Sequence, residues 1–253
     1  MRRELCQGRQ EFASSGVEAR TCHDGLMAAS NESNDRPYAG VTAAERRRTR
    51  QGRLASAVLD IVHEKGIESL GVSVVCERAS VSKRHFYETY ENLDALSGET
   101  LADALAEVRV TIAAHQDDRD DTDDGAALLR RAVNAILATF DDPRMAKLYL
   151  EAPGNRGLRN ARDTAVTEFV DQLLRSLGGD HGTDPQARLI AQLLVVGTTE
   201  VVAMWLRGDL DLTREQVVAT LVTLGTDAIR RIRTQAYDAA SDQGRVPMRG
   251  VTG

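Results

Sequence analysis

The sequence is poor in the residues that mark several classes of protein. Aromatic residues make up only 4% of the chain and there are five prolines, a composition that favours helices over a β-sandwich. The three cysteines, Cys6, Cys22 and Cys76, are odd in number and fit no CxxC or Cys/His metal spacing. A disulfide framework and a zinc site are therefore not expected, and the sequence predicts no metal and no cofactor.

Targeting and catalytic motifs are also missing. Charged residues interrupt the first stretch of the chain, so no apolar run of signal-peptide length follows Arg2 and Arg3. A reducing cytoplasm is the expected location. The sequence contains no HExxH, GxSxG, P-loop or GxGxxG motif after a strand. It therefore gives no support to an enzyme.

Charge is unevenly distributed along the chain. The formal net charge is −6, but residues 45–96 hold nine basic and eight acidic side chains. Five of the basic ones lie together: Arg46, Arg47, Arg48, Arg50 and Arg53. Such a cluster is either a solvated face or a phosphate-binding surface, and charge alone does not decide between them.

The chain divides into four segments by composition and periodicity. Residues 1–43 keep no period and end in breaker residues, which predicts a disordered extension. Residues 44–97 are expected to form one small helical domain and residues 98–237 a larger one, followed by a disordered tail at 238–253. Helical periodicity without strand-like alternation makes the predicted fold all-α.

Three helices are predicted in the small domain. An apolar stripe at i, i+3, i+4, i+7 and i+8 begins at Leu54 and predicts a helix ending near Gly66. A second stripe begins at Val72. After a short break, Ser82 is a good N-cap for a third helix at 83–90. Two short helices joined by a three-residue turn behind a supporting helix are the helix-turn-helix arrangement, whose last helix enters the DNA major groove.

The same stretch resembles the N-terminal signature of the tetracycline-repressor (TetR) family of transcription regulators. The resemblance covers about fifty residues and rests on these: Gly66, Ile67, Glu68, Leu70, Val72, Val75, Val81, Ser82, Lys83, Phe86, Tyr87, Tyr90, Asp94, Ala95 and Leu96. It implies a homodimeric regulator of transcription that binds double-stranded operator DNA and responds to a small-molecule effector.

The resemblance also assigns roles to residues. Val81, Phe86 and Tyr90 would hold the recognition helix onto the first helix. Lys83, Arg84 and His85 would read base edges, for which their donors are suited. Tyr87 would contact the sugar-phosphate backbone. The remaining predicted DNA-binding residues are Ser73, Ser82, Arg46, Arg47, Arg48 and Arg50.

Three positions depart from the family pattern. Ser80 replaces the glycine usual in the turn, Arg84 replaces a small residue, and Leu93 stands where a phosphate-binding lysine is common. Any positive φ at Ser80 would cost on the order of 1 kcal/mol. The arginine cluster is expected to compensate for Leu93.

The larger domain is predicted to contain a long helix from Asn92 or Asp94 to His115, helices at 125–140, 143–152, 158–177 and 186–207, and a last helix at 213–236. Residues 186–207 are apolar on nearly every face, so the helix is either buried or spans a membrane. Glu200 near its middle makes insertion unfavourable, and no membrane association is predicted. The resemblance implies that 186–236 pairs with a second copy; an intrachain core is the alternative.

The effector site has a weaker signal. Six large side chains in this half are the candidate lining of a pocket for a largely apolar ligand: Phe140, Met145, Tyr149, Phe169, Met204 and Trp205. Ordinary core packing is the alternative for each. The predicted function is thus a repressor released from its operator by a small ligand. The alternative is a helical protein-interaction adaptor that binds no specific DNA.

Overall fold

The computed structural model describes residues 42–117, 125–178 and 182–243, and it describes their side chains except at 115–117, 125 and 235–243. The predicted N-terminal extension up to residue 41 and the tail from 244 lie outside these residues. The described residues form helices and no strand: α1 (Ala43–Lys65), α2 (Val72–Ala79), α3 (Lys83–Tyr87), α4 (Leu93–Asp117), α5 (Gly125–Ala138), α6 (Pro143–Leu150), α7 (Arg156–Ser176), α8 (Pro185–Arg207) and α9 (Arg214–Gln243).

Helix α1 buries the predicted stripe and ends at Gly66. Leu54 and Ile61 are 1% exposed, and Val58 and Val62 are fully buried. Gly66 has φ +82°, a conformation that glycine adopts at little cost. The helix begins at Ala43, so the arginine cluster lies within its N-terminal turns, and only the apolar half of α1 was predicted from periodicity.

The turn between α2 and α3 has the geometry of a helix-turn-helix. Ser80 adopts φ 53° and ψ 44°, a left-handed conformation. This conformation is costly for serine and would be cheap for the glycine that the family usually has here. Ser82 caps α3, because its Oγ accepts a hydrogen bond from the backbone N–H of His85. The third helix is shorter than predicted and ends at Tyr87.

Replacing Ser80 by glycine is expected to stabilise the protein by about 0.5–1 kcal/mol, because the relief of left-handed strain outweighs the extra backbone entropy that glycine gives the unfolded chain. Urea unfolding would measure the change. Ser80→Ala keeps the strain and is the matched control, expected to show no gain. Equal stability of the two variants would contradict the strain argument.

Helix α4 connects the small N-terminal helices to the rest of the chain. It begins at Leu93, between the predicted starts at Asn92 and Asp94, and the Asn92 side chain accepts a hydrogen bond from the N–H of Ala95. It packs most extensively on α7, and it also packs on α5. At the start of this crossing the backbones meet directly: a Cβ added to Gly157 would stand 1.9 Å from the carbonyl oxygen of Asp94. Glycine is therefore required there.

Helices α5, α7, α8 and α9 complete the larger bundle. Helix α9 packs on α5 and α8. A Cβ added to Gly225 of α9 would lie 3.3 Å from Leu129 Cδ1 of α5, so the two helices are in close contact there. The helix continues to Gln243, beyond the predicted end at 236 and into the segment predicted to be a disordered tail.

Helix α8 is not buried on all sides within one chain. Its inner face buries Ala187, Ala191, Val202 and Ala203, whereas Leu189, Leu193 and Val196 are 58%, 65% and 44% exposed. Among the described helices, α8 alone is long and apolar enough to cross a membrane by length and composition. One such helix is weak support for a membrane span, and Glu200 lies within it.

Candidate DNA-reading surface and effector cavity

Helix α3 presents polar side chains outward and one aromatic ring inward. Phe86 is fully buried, while Lys83, Arg84 and His85 are exposed and Tyr87 is 59% exposed. Val81 and Tyr90 are buried on either side of it, as the family resemblance implies. The helix is therefore fixed from beneath, with a free outer face.

The outer face of α3 is only loosely paired with the rest of the chain. Arg84 Nε lies 3.0 Å from Glu88 Oε1, with the arginine side chain 87% exposed. His85 Nδ1 lies 3.0 Å from Ser82 Oγ. Exposed ion pairs of this kind contribute 0–1 kcal/mol, so the Arg84 guanidinium can leave Glu88 for a better partner.

A partly buried polar contact holds the segment that follows α3. The Tyr90 hydroxyl donates to Glu99 Oε1 at 3.1 Å, and Gln51 Nε2 donates to the same oxygen at 3.4 Å. Burial, followed by the nearby Glu99 carboxylate, raises the pKa of Tyr90 well above its usual value. The hydroxyl thus stays protonated, and the contact joins the segment after α3 to α1 and α4.

The other predicted DNA-binding residues lie on exposed parts of the same domain. Ser73 is exposed in the first turn of α2. Arg46, Arg47 and Arg48 are exposed on α1, and Arg50 is half-buried. Leu93 is partly buried against the core, so it packs where the family often places a lysine.

An apolar cavity of about 640 Å³ lies between α4, α5, α7, α8 and α9. Three of the predicted ligand residues line it: Phe140, Tyr149 and Phe169. Met145, Met204 and Trp205 are not in its lining, and the indole Nε1 of Trp205 donates instead to the carbonyl of Leu212 at 3.0 Å. The volume is in the range of small-molecule sites.

One charged lining residue at the α6 end was missed by the sequence analysis. Arg162 lies 5.2 Å from the centre of the Tyr149 ring, and its Nη2 lies 3.3 Å from Glu200 Oε2. The Tyr149 hydroxyl donates to the carbonyl of Thr199 at 3.1 Å, and burial is the main cause that raises its pKa. An arginine at helical spacing from Val166 and Phe169 was the available signal.

Helix α6 lies between the cavity and the helix-turn-helix domain. Tyr149 near its C-terminal end lines the cavity, and Arg144 near its N-terminus reaches Asp60 of α1, with 2.7 Å between Nη1 and Oδ1. Arg144 also pairs with Asp142 at 2.8 Å, and the hydrogen bonds from its guanidinium are the largest cause lowering the pKa of Asp142. Helix α6 thus contacts both the cavity and α1.

No protein-family model and no curated protein matches this sequence. Solved structures do. A TetR-family transcriptional regulator from Streptomyces coelicolor aligns with TM-score 0.55 and 14% identity, covering 72% of this chain and 90% of its own. FadR, a fatty acid degradation regulator from Bacillus halodurans, aligns with TM-score 0.54 and 16% identity over 71% of this chain and 94% of its own. A transcriptional regulator from Rhodococcus sp. Rha1 aligns with TM-score 0.53 and 22% identity over 73% and 96%. The chain has the TetR-family fold.

The TetR-family fold confirms the all-α architecture and the family resemblance at the level of structure. In this chain the fold retains the buried positions Val81, Phe86 and Tyr90 and departs from the family pattern in the strained turn at Ser80 and the packed Leu93. The outer face of α3 is exposed despite these departures.

Proposed function

We propose that the protein is a cytoplasmic, non-enzymatic transcription regulator that binds operator DNA as a homodimer and is released from it by a small molecule. The observation that carries the proposal is the outer face of α3, where Lys83, Arg84 and His85 stand exposed on a buried Phe86. Donors on a short, rigidly supported helix suit base edges in the major groove. The neighbouring Tyr87 and α1 arginines suit the phosphates.

The dimer is supported by the outer face of α8. Leu189, Leu193, Val196 and Gly197 lie on it at helical spacing, and Leu224 of α9 is 57% exposed. Apart from neighbouring residues of α8 itself, no described atom lies within 4 Å of a Cβ built on Gly197, so a second backbone can approach there. A two-fold pairing would bury this apolar face, and the operator would then be an inverted repeat.

The release mechanism is supported by the position of the cavity. Its walls include α4, which continues into the DNA-reading domain, and Tyr149 of α6, which is joined to α1 through Arg144 and Asp60. A ligand that binds best when these helices are displaced would change the separation of the two recognition helices. Coupling of 1–3 kcal/mol would weaken operator binding by roughly 5–150-fold, and operator would weaken ligand binding equally.

The α3 assignment predicts that Arg84→Ala relaxes preference at one operator position and weakens binding by roughly 1–3 kcal/mol, if the contact is bidentate. Operator is first recovered by selection of bound fragments from genomic DNA, and binding is then followed by fluorescence anisotropy. Arg175→Ala is the control, because Arg175 is an exposed arginine near the end of α7. An unchanged affinity and sequence preference in Arg84→Ala would contradict the assignment.

The same assay separates the regulator from the adaptor alternative. An operator-binding dimer loses affinity steeply as salt rises, because each neutralised phosphate releases counterions. Replacing Arg47 and Arg48 by glutamine should flatten this slope and weaken binding to every sequence alike. A protein that selects no DNA and shows no salt dependence would be an adaptor.

A further inference from the structure

We propose that the molecule bound in the cavity is an anionic amphiphile. Its aliphatic body would lie inside the cavity, and a carboxylate or similar head would lie beside Arg230 and Arg233 of α9, at what we call the α9 end of the cavity. The inference deepens the proposed function, on which it rests in treating this molecule as the effector. It is argued from the charges and shape of the lining.

The described lining residues carry charge of one sign only. They include three arginines, Arg162, Arg230 and Arg233, and no aspartate or glutamate. A cationic ligand entering this cavity would lose hydration without gaining a carboxylate partner from its described walls. An anionic head gains one or more charge-assisted hydrogen bonds.

The arginine at the α6 end is already balanced. Arg162 pairs with Glu200, which also pairs with Arg207 at 3.2 Å, and Arg207 in turn pairs with Asp209 at 2.7 Å. This cluster of two arginines and two carboxylates has no net charge. An anion placed there would have to displace Glu200, so the head is not expected at this end.

The arginines at the α9 end are less fully paired. Arg230 Nη1 lies 2.7 Å from Asp227 Oδ1, but the two side chains are 70% and 61% exposed, which makes the pair weak. Arg233 has no ion pair among the described side chains. The hydroxyls of Thr226 and Thr234 belong to the same stretch of lining. This end therefore offers a net positive charge and hydroxyl groups to an entering head.

The two ends of the cavity are defined by the packing. The last turns of α7 and the Ile232 region of α9 form a separate apolar cluster with the start of α8, whereas Phe140 and Tyr149 belong to the main core, with ring centres 4.8 Å apart. Between them the walls are aliphatic, including Leu105, Val108 and Val133. An alkyl chain directed from Arg233 toward Phe140 fits this layout.

Calorimetry on the full chain without DNA tests the proposal with three probes of equal chain length below their micelle concentrations: dodecanoate, dodecanol and dodecyltrimethylammonium. Dodecanoate is expected to bind at least about tenfold tighter than either other probe. Shortening its chain should weaken binding about fourfold per methylene. Arg233→Gln should cost dodecanoate about tenfold and leave dodecanol unchanged.

Two control variants make the result specific to the cavity. Arg231→Gln removes a neighbouring exposed arginine outside the lining and should change nothing. Ala132→Phe places a ring in the lining and should weaken all three probes, with helix content checked by circular dichroism. Equal affinity for the three heads, preference for the cation, or dodecanoate binding that survives Ala132→Phe would overturn the proposal.

A DNA assay separates this inference from the proposed function. Dodecanoate that binds as expected and releases operator supports both. If it binds as expected but leaves operator bound, the ligand class is supported and the release mechanism is contradicted. If it releases operator no better than dodecanol does and shows no head preference in calorimetry, the ligand class is overturned while DNA binding stands.

Discussion

Leu193→Glu is expected to convert the protein into a monomer and to weaken operator binding by about 10²–10⁴-fold, the advantage that two linked half-site contacts provide. Leu193 is 65% exposed at the centre of the outer α8 face. In a two-fold pairing each substitution occurs in both copies, so two carboxylates would enter one apolar interface. Burying an unpaired charge costs several kcal/mol.

The mass in solution decides whether this face is an interface. Sedimentation should give twice 27.6 kDa for the unmodified chain and 27.6 kDa for Leu193→Glu. Val110→Glu is the matched control, because Val110 is also apolar and 69% exposed but lies on α4. The control should remain dimeric with full operator affinity. If Leu193→Glu sediments with the unmodified chain and binds operator equally well, the dimer is not built on α8.

The small domain could be predicted closely because its signals are local. The α1 stripe from Leu54, the Ser82 cap and the buried ring of Phe86 are each set by residues a few positions apart. The cost at Ser80 was also foreseeable, since the turn requires a left-handed residue and serine is not glycine. The outward side chains of α3 follow once Phe86 is placed inward.

The larger domain was less predictable because its pattern does not say which apolar face meets which partner. Val217, Leu221, Leu224 and Ile232 form one sequence stripe, yet Val217, Leu221 and Ile232 are buried within the chain and Leu224 is exposed. Leu221 lines the cavity and is therefore a poor probe of a dimer contact.

The cavity and its connection to α1 depend on contacts between residues far apart in the chain. Arg144 and Asp60 are 84 positions apart, and Arg162 and Glu200 are 38 apart. Large side chains were a partial guide to the cavity, since Phe140, Tyr149 and Phe169 line it, but the arginines were not anticipated. An arginine within an apolar helical stripe, such as Arg162 before Val166 and Phe169, was the more informative signal for the cavity lining.

The second large effect is expected at the crossing of α4 and α7. Gly157→Ala should lower the free energy of unfolding by roughly 2–3 kcal/mol, the cost of forcing extra volume into a packed contact. The added Cβ would stand 1.9 Å from the carbonyl oxygen of Asp94 and 2.6 Å from its carbonyl carbon, which are backbone atoms and cannot rotate away. The two helices must separate.

That separation should also displace the helix-turn-helix domain. Asp94 lies in the first turn of α4, and Asn155 Nδ2 donates to its Oδ1 at 2.9 Å, so the start of α4 is held against α7 at this point. Displacing it moves the segment that directly follows α3. In the folded fraction of Gly157→Ala, operator affinity is therefore expected to fall as well, which anisotropy at a temperature below the transition would measure.

Two other glycines calibrate the experiment. A Cβ on Gly98 would stand 2.8 Å from the carbonyl oxygen of Gly157, so Gly98→Ala should show a smaller loss of the same kind. Gly52 lies within α1 with nothing within 4 Å of an added Cβ, and Gly52→Ala should gain about 1 kcal/mol from helix propensity. The order of stability in urea is therefore Gly52→Ala, unmodified chain, Gly98→Ala and Gly157→Ala. A Gly157→Ala variant as stable as the unmodified chain would show that α4 and α7 do not cross with their backbones in contact.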